Sequence, residues 1–437
     1  MLIFNGRFAG QQIPGAWVLV SGDKIAAVGS DTEQMPSCEE RFDANGALIM
    51  PGAIDCHVHF REPGLEHKAD MASESRAAIA GGVTSIMDMP NTVPQTTTIK
   101  AWEDKCSRAA DKCLCNYAFF IGATDGNIDE LKKADYSRVP GVKLFMGAST
   151  GNMLVCDSSI ISRIMEEVPA IVAVHAEDQD LIAFNTRLAK EKYAGEEVPM
   201  AEHSSIRSAQ ACVKSTLMAI SLALLNKHRL HVCHLSTAAE ARLIAKAKEN
   251  YGGLVTAEVS PHHLLWSVAD YREKGARIKM NPAVKTAADS QALRQALQMG
   301  VIDMVATDHA PHLLSDKQGD ALSATSGAPM VQFSLPAMLK LMAEEDVVRT
   351  MCHKPAEIYG IDRRGRLAPG YYADIALVAS SEPYMVTDAD VVSKCGWTPM
   401  AGEQLRHTVV ATWVNGKLVY CPGRFTGEKN SAPLRFK

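Results

Sequence analysis

AIDCHVH, residues 53–59, is a short apolar run that ends on two histidines two positions apart. Side chains alternate across a β-strand, so a strand here puts His57 and His59 on one face. Outward along the chain, seven further runs share this build: VTSIMDM (83–89), CNYAFFI (115–121), GVKLFM (141–146), AIVAVH (170–175), RLHVCH (229–234), LVTAEVS (254–260) and VIDMVATD (301–308). The intervening segments, such as 70–81, 157–168, 205–228 and 237–250, have helical length and apolar spacing. Eight strand-then-helix units predict an α/β protein built as a (β/α)₈ TIM barrel, with its reactive groups at the C-terminal ends of the strands.

The flanks read differently. LIFNGRFAG and AWVLVSGDKIAAVG, with a turn at Gly22 and Asp23, are β-rich. So are ADIALV (373–378) and TVVATWVNGKLVY (408–420), the latter folded at Asn415-Gly416. Both chain ends are therefore expected to meet in one small β-sandwich. The boundaries are 1–50 for its first part, 51–362 for a metal-dependent barrel, and 363–437 for its second part and a tail.

Of 437 residues, 47% are hydrophobic and 22% charged, with a net charge of −5 and no block of five like charges. That excludes a basic nucleic-acid footprint and leaves a small molecule or another protein as partner. The N-terminus lacks a secretory pattern and no run approaches the ~18 continuous apolar residues of a membrane span, so no membrane partner and a cytoplasmic location are expected. Eleven scattered cysteines, among them Cys56, Cys156, Cys212 and Cys233, are expected as buried free thiols. Cys113 and Cys115 lack the second matching pair of a zinc site.

Five of the runs carry a possible metal ligand in their C-terminal part: His57 and His59, Lys143, His175, His234, and Asp308. Their recurrence at equivalent strand ends predicts a metal centre. His231 and Cys233 have the opposite parity to His234 and are expected to face the helices as packing residues. Asp55 shares the parity of His57 and lies deeper, where it orients a ligand or bonds within the barrel. A lysine among ligands is anomalous, because a buried ammonium is costly and repels a cation. It either pairs with Asp308 or takes up CO₂ to give a carbamate, an anion with two oxygens that can bridge two metals. Nitrogen and oxygen donors without thiolate favour zinc, with manganese, cobalt or nickel as substitutes.

These ligands, with PGAIDCHVHFREPG (51–64), DMPNT (88–92), HAED (175–178), NPAVK (281–285) and ATDHAPH (306–312), resemble the dihydroorotases of the amidohydrolase superfamily. The resemblance runs from about residue 2 to 420 and includes GRLAPGYYADIALV (365–378), which is similar to the superfamily's return into its small β-domain. It implies reversible hydrolysis of dihydroorotate to N-carbamoyl-aspartate in pyrimidine biosynthesis, with two Zn²⁺ per chain (or Mn²⁺ or Co²⁺). His57 and His59 would hold one ion with Asp308, His175 and His234 the other, and N6-carboxylated Lys143 would bridge them. Arg61, Asn91, Asn281 and His312 match substrate-binding positions. The backbone near Gly327 and Ala328, in the divergent GAPMVQFSLP (327–336), is expected at the polar edge of the ring. KLFMG around Lys143 resembles the hydantoinase and animal-type pattern. A homodimer and association with aspartate transcarbamoylase are further expectations.

The chemistry fits independently. A ring amide is a poor electrophile and needs both polarisation and a nucleophile at neutral pH. Asp308 can act as base and then as acid to the leaving nitrogen, which makes it the expected catalytic residue. Arg61 shares the parity of His57 and His59 and offers a fork for a carboxylate. The polar stretch 313–326 is expected as a mobile loop over the site. The competing readings are an allantoinase or hydantoinase acting on a different ring, and a scaffold without catalysis.

Overall fold

The computed structural model describes residues 1–147 and 153–437. Alternating apolar residues make β1 (Leu2–Gly6), β2 (Ala16–Ser21) and β3 (Lys24–Gly29), with β4 (Arg41–Asp43) parallel to β1, in the order β3-β2-β1-β4. β5 (Leu48–Pro51) leaves this sheet and leads directly into the barrel.

The barrel strands are β6 (Ala53–Val58), β7 (Val83–Asp88), β8 (Asn116–Phe119), β9 (Ile121–Gly122), β10 (Val142–Phe145), β11 (Val172–His175), β12 (Leu230–Val232), β13 (Val255–Val259) and β14 (Met304–Val305). All pairings among them are parallel, within β6-β7-β8 and within β9 to β14. β8 and β9 are two halves of the run 115–121, parted at Phe120, so the wall has eight staves. Its seam lies between β14 and β6, where His59 N–H donates to His309 O at 2.7 Å. Asp55 reinforces this seam by accepting from Thr307 N at 3.0 Å and Thr307 Oγ1 at 2.5 Å. Asp55 also accepts from the backbone N–H of His57 at 3.2 Å, so it bonds both within the barrel wall and to a candidate ligand residue.

Helices start where a hydroxyl or carboxylate can satisfy their first N–H groups. Asp70 and Ser73 form a capping box on Met71–Ala80, and Thr237 caps Ala238–Tyr251. The segment 205–228 is not one helix. A short turn of helix, Glu202–Ile206, stops at Arg207, and Ser208 caps a new start at Ala209–Leu225. By length and composition Glu202–Leu225 would suffice to cross a membrane, but Cys212, Ala219 and Ala223 are buried against the barrel. All eleven cysteines are free; Cys56, Cys212 and Cys233 are buried as expected, whereas Cys156 is exposed.

β15 (Ile375–Met385), β16 (Gln404–Val414), β17 (Lys417–Cys421) and β18 (Arg424–Phe425) form a sheet completed by β5, in the order β18-β17-β16-β15-β5. Its two faces serve two cores, with a shift in the β15–β16 register between Leu377 and Val378 that moves Val409 to the face opposite Ala411. Ile375, Leu377, Ala411 and Trp413 pack on Ile3, Val18 and Ile25 of the N-terminal sheet, while Ala376, Val378, Val409 and Val414 join the barrel core. The β16–β17 turn uses Asn415 at φ +46° and Gly416 at φ +80°, which the right-handed twist of a tight hairpin requires. A Cβ on Gly416 would stand 2.1 Å from Gly22 O. Beyond β18 the chain returns to the barrel floor, where Leu434 N–H donates to Tyr117 O at 2.9 Å.

Candidate active site

The C-terminal strand ends converge on one cavity lined by His57, His59, His175, His234 and Asp308. Asp308 Oδ1 lies 3.0 Å from His59 Nε2 and 3.4 Å from His57 Nε2. His175 Nδ1 lies 3.0 Å from His234 Nε2. Neither β12 nor β14 reaches its functional residue. β12 stops at Val232 and β14 at Val305, and His234 (φ +35°) and Asp308 (φ +50°) then turn through the left-handed region. These are strained conformations for side-chain-bearing residues, held by the surrounding structure.

That turn corrects the expectation for His231 and Cys233. Both lie inside the barrel, not against the helices: His231 Nε2 is 3.1 Å from Glu258 Oε2, and Lys143 Nζ is 2.9 Å from Cys233 Sγ. Parity counting assumes an unbroken strand, and here the strand ends before His234. Two carboxylates also escaped the sequence reading. Glu258, on β13, contacts His57 Nδ1 and accepts from His234 N–H at 3.3 Å. Glu177 accepts from His175 Nε2 at 2.9 Å and pairs with Arg207. Each orients a ring so that its other nitrogen faces the cavity. Glu258 was visible as the one charge in an apolar strand run, and Glu177 as part of HAED.

The electrostatics follow from burial among these groups. Burial and Lys143 oppose a charge on His57, yet Glu258 and Asp308 outweigh them and hold it at about 10. Burial favours a protonated Asp308, but His57 and His59 keep its carboxyl well below the usual range. Asp308 is therefore an ionised acceptor at neutral pH.

The donor set suits divalent metal. Ligand atoms of His57, His234 and Asp308 lie within 4.8 Å of one another, and His234 Nδ1 is buried without a hydrogen-bond partner. Lys143 is fully buried, and among the described residues no carboxylate pairs with its Nζ, Asp308 included. A buried ammonium beside a thiol and the Phe145 ring, with no carboxylate among the described residues, is poorly compensated.

The opposite wall is cationic. Arg61, at φ +68°, donates through Nε to Pro311 O at 2.9 Å and brings Nη2 to 2.8 Å from His312 Nε2. Asn91 Oδ1 lies 2.8 Å from His59 Nδ1. Asn281 and Gly327 also line the cavity. Ala328 does not: it is buried, and its carbonyl accepts from Ala310 N–H. The stretch 313–326 is tied down through Lys317, whose buried Nζ donates to Thr325 O at 2.6 Å and Gly327 O at 2.8 Å. Its polar composition serves internal bonds as well as solvent.

A parallel barrel whose strand ends gather four imidazoles and a carboxylate around a small polar cavity defines a hydrolase with a metal-type ligand set. The chain belongs to the amidohydrolase family, which it matches over residues 48–419. It is 35% identical over 403 residues to a dihydroorotase of Methanosarcina acetivorans, covering 89% of this chain and 85% of that one. It is 32% identical over 424 residues to an allantoinase of Streptomyces avermitilis, covering 95% and 94%. In three dimensions it is similar to the L-hydantoinase (dihydropyrimidinase) of Arthrobacter aurescens, with a TM-score of 0.93, 28% identity and 99% of each chain covered.

Proposed function

We propose that the chain is a dihydroorotase, interconverting dihydroorotate and N-carbamoyl-aspartate in pyrimidine synthesis. The observation that carries this reading is the Arg61–His312 wall facing the histidine and aspartate cluster across one cavity. It suits a ring with a carboxylate on one side and a scissile amide on the other. His57, His59 and Asp308 would hold one ion, His175 and His234 another, with carboxylated Lys143 between them. Two Zn²⁺ bound there, or Mn²⁺ or Co²⁺, supply Lewis acidity and lower the pKa of water.

The chain's own groups do the rest. Arg61 and His312 grip the carboxylate and Asn91 and Asn281 the polar edge of the ring, with Gly327 leaving room for close approach. Ionised Asp308 takes the proton from the attacking water as the new C–O bond forms. It then delivers that proton to the ring nitrogen as the C–N bond breaks, and the reverse sequence closes the ring. The free thiols fit a reducing cytoplasm. Half-exposed Phe184, Leu188 and Leu217 on the outer helices support a homodimer, and association with aspartate transcarbamoylase would place the site beside a source of N-carbamoyl-aspartate. A monomer on sedimentation that does not co-purify with that enzyme would remove both assembly proposals.

The test is turnover of dihydroorotate, allantoin and hydantoin side by side on metal-loaded protein. Dihydroorotate is expected to be the preferred substrate. Arg61→Met is expected to raise KM for it by about 100-fold while metal content stays unchanged, since the lost contact is to substrate. The second reading, an allantoinase, is favoured by the Streptomyces avermitilis relative. Robust allantoin turnover with none on dihydroorotate would establish it instead.

A further inference from the structure

β15 and β16 are antiparallel neighbours, yet they are joined by residues 386–403 rather than by a tight turn. Hairpin loops usually run to about five residues at most, and a long ordered excursion in a packed domain is usually functional. This one crosses to the mouth of the barrel. Trp397 is fully buried, and its Nε1–H donates to His312 O at 2.7 Å. On either side of it, Ser393 Oγ donates to Glu74 Oε2 at 2.6 Å and Thr398 Oγ1 to Pro329 O at 3.5 Å.

The indole meets both halves of the cationic wall. From one side Arg61 holds the dipeptide Pro311-His312, with Nε donating to Pro311 O at 2.9 Å and Nη2 at 2.8 Å from His312 Nε2. From the other, Trp397 holds the carbonyl of the same His312. The indole face lies 5.7 Å from Lys317 Nζ and 5.6 Å from Arg277 Cζ, a range at which a cation is drawn to an aromatic ring. Lys317 in turn donates to Thr325 O and Gly327 O. His312 and Gly327 line the cavity, and Trp397 stands behind them.

A buried carbonyl that loses its donor is costly, so the N–H of Trp397 favours one orientation of the His312 peptide plane. That plane sets the direction in which the His312 ring leaves the chain. The geometry points to Trp397 as a positioning residue for the substrate wall: its N–H fixes the His312 backbone so that the ring stays beside Arg61. Through it the C-terminal sheet sets how tightly the anionic group of the substrate is held. This deepens the dihydroorotase reading and rests on it for the identity of that group.

A double-mutant cycle tests it. Trp397→Phe keeps an aromatic face for Lys317 and removes the N–H. Benzothienylalanine at position 397 replaces the N–H by sulfur at unchanged shape, and serves where phenylalanine fails to fold. Either change is expected to raise KM for dihydroorotate about five-fold with kcat altered less than about two-fold, as for the loss of one neutral hydrogen bond. In a His312→Ala background the same change is expected to move KM by less than about two-fold, because the ring through which it acts is gone. An effect of the same size in both backgrounds, which a merely structural role would give, overturns the proposal, as does a wild-type KM in the sulfur variant. Without substrate, the ring ¹⁵N resonances of His312 in the metal-loaded enzyme are expected to shift in the sulfur variant, and unshifted resonances overturn the proposal as well. A wild type that ignores dihydroorotate fails the functional reading alone, because the ¹⁵N result decides Trp397 without substrate.

Discussion

Lys143→Ala is expected to abolish activity, by about 10³-fold or more, and to bind metal poorly. Lys143 is fully buried within β10 with a thiol beside its Nζ. As an ammonium it repels cations and supplies no oxygen. After CO₂ adds to the neutral amine and a proton leaves, it becomes an anion with two donors. Activity should then depend on bicarbonate during metal reconstitution, and a short-chain carboxylic acid should partly rescue the alanine variant. Intact mass of the metal-loaded enzyme should show one added CO₂. An unmodified Lys143 beside two fully occupied metals in an active enzyme would transfer the bridging role to another carboxylate.

Asp308→Asn is expected to lower kcat by about 10⁴-fold, the upper range for losing a group that both takes and gives the proton. The amide keeps an oxygen in place, so metal analysis should show most of the bound ion retained. A kcat within ten-fold of the wild type would assign proton transfer elsewhere. The ionised state of Asp308, imposed by His57 and His59 against burial, gives the substitution its force.

Legibility in the sequence followed strand continuity. Where a strand runs unbroken, as in β6 and β11, spacing placed His57, Asp55 and His175 correctly inside the barrel. Where the strand stops early, parity misled: one left-handed residue at His234 puts His231, Cys233 and His234 all inside. Glu258 and Glu177 were passed over because a carboxylate is conspicuous as a ligand and inconspicuous as the partner of one, a role set by distances in space. Ala328 was placed by likeness in a divergent stretch, and its carbonyl is engaged with Ala310 instead.

β5 carries a consequence for how the molecule is made. All four of its residues are buried, and Pro51 to Leu48 face Ile375 to Val378 of β15, with the whole barrel encoded between them. During synthesis the apolar strand emerges early and waits for its partner until the barrel has been translated. An unpaired strand edge is a template for wrong pairing, and nascent intermediates are where such errors take hold. Nascent-chain handling, by chaperones or by the pace of translation, therefore governs yield in a way that the melting temperature of the finished enzyme does not report.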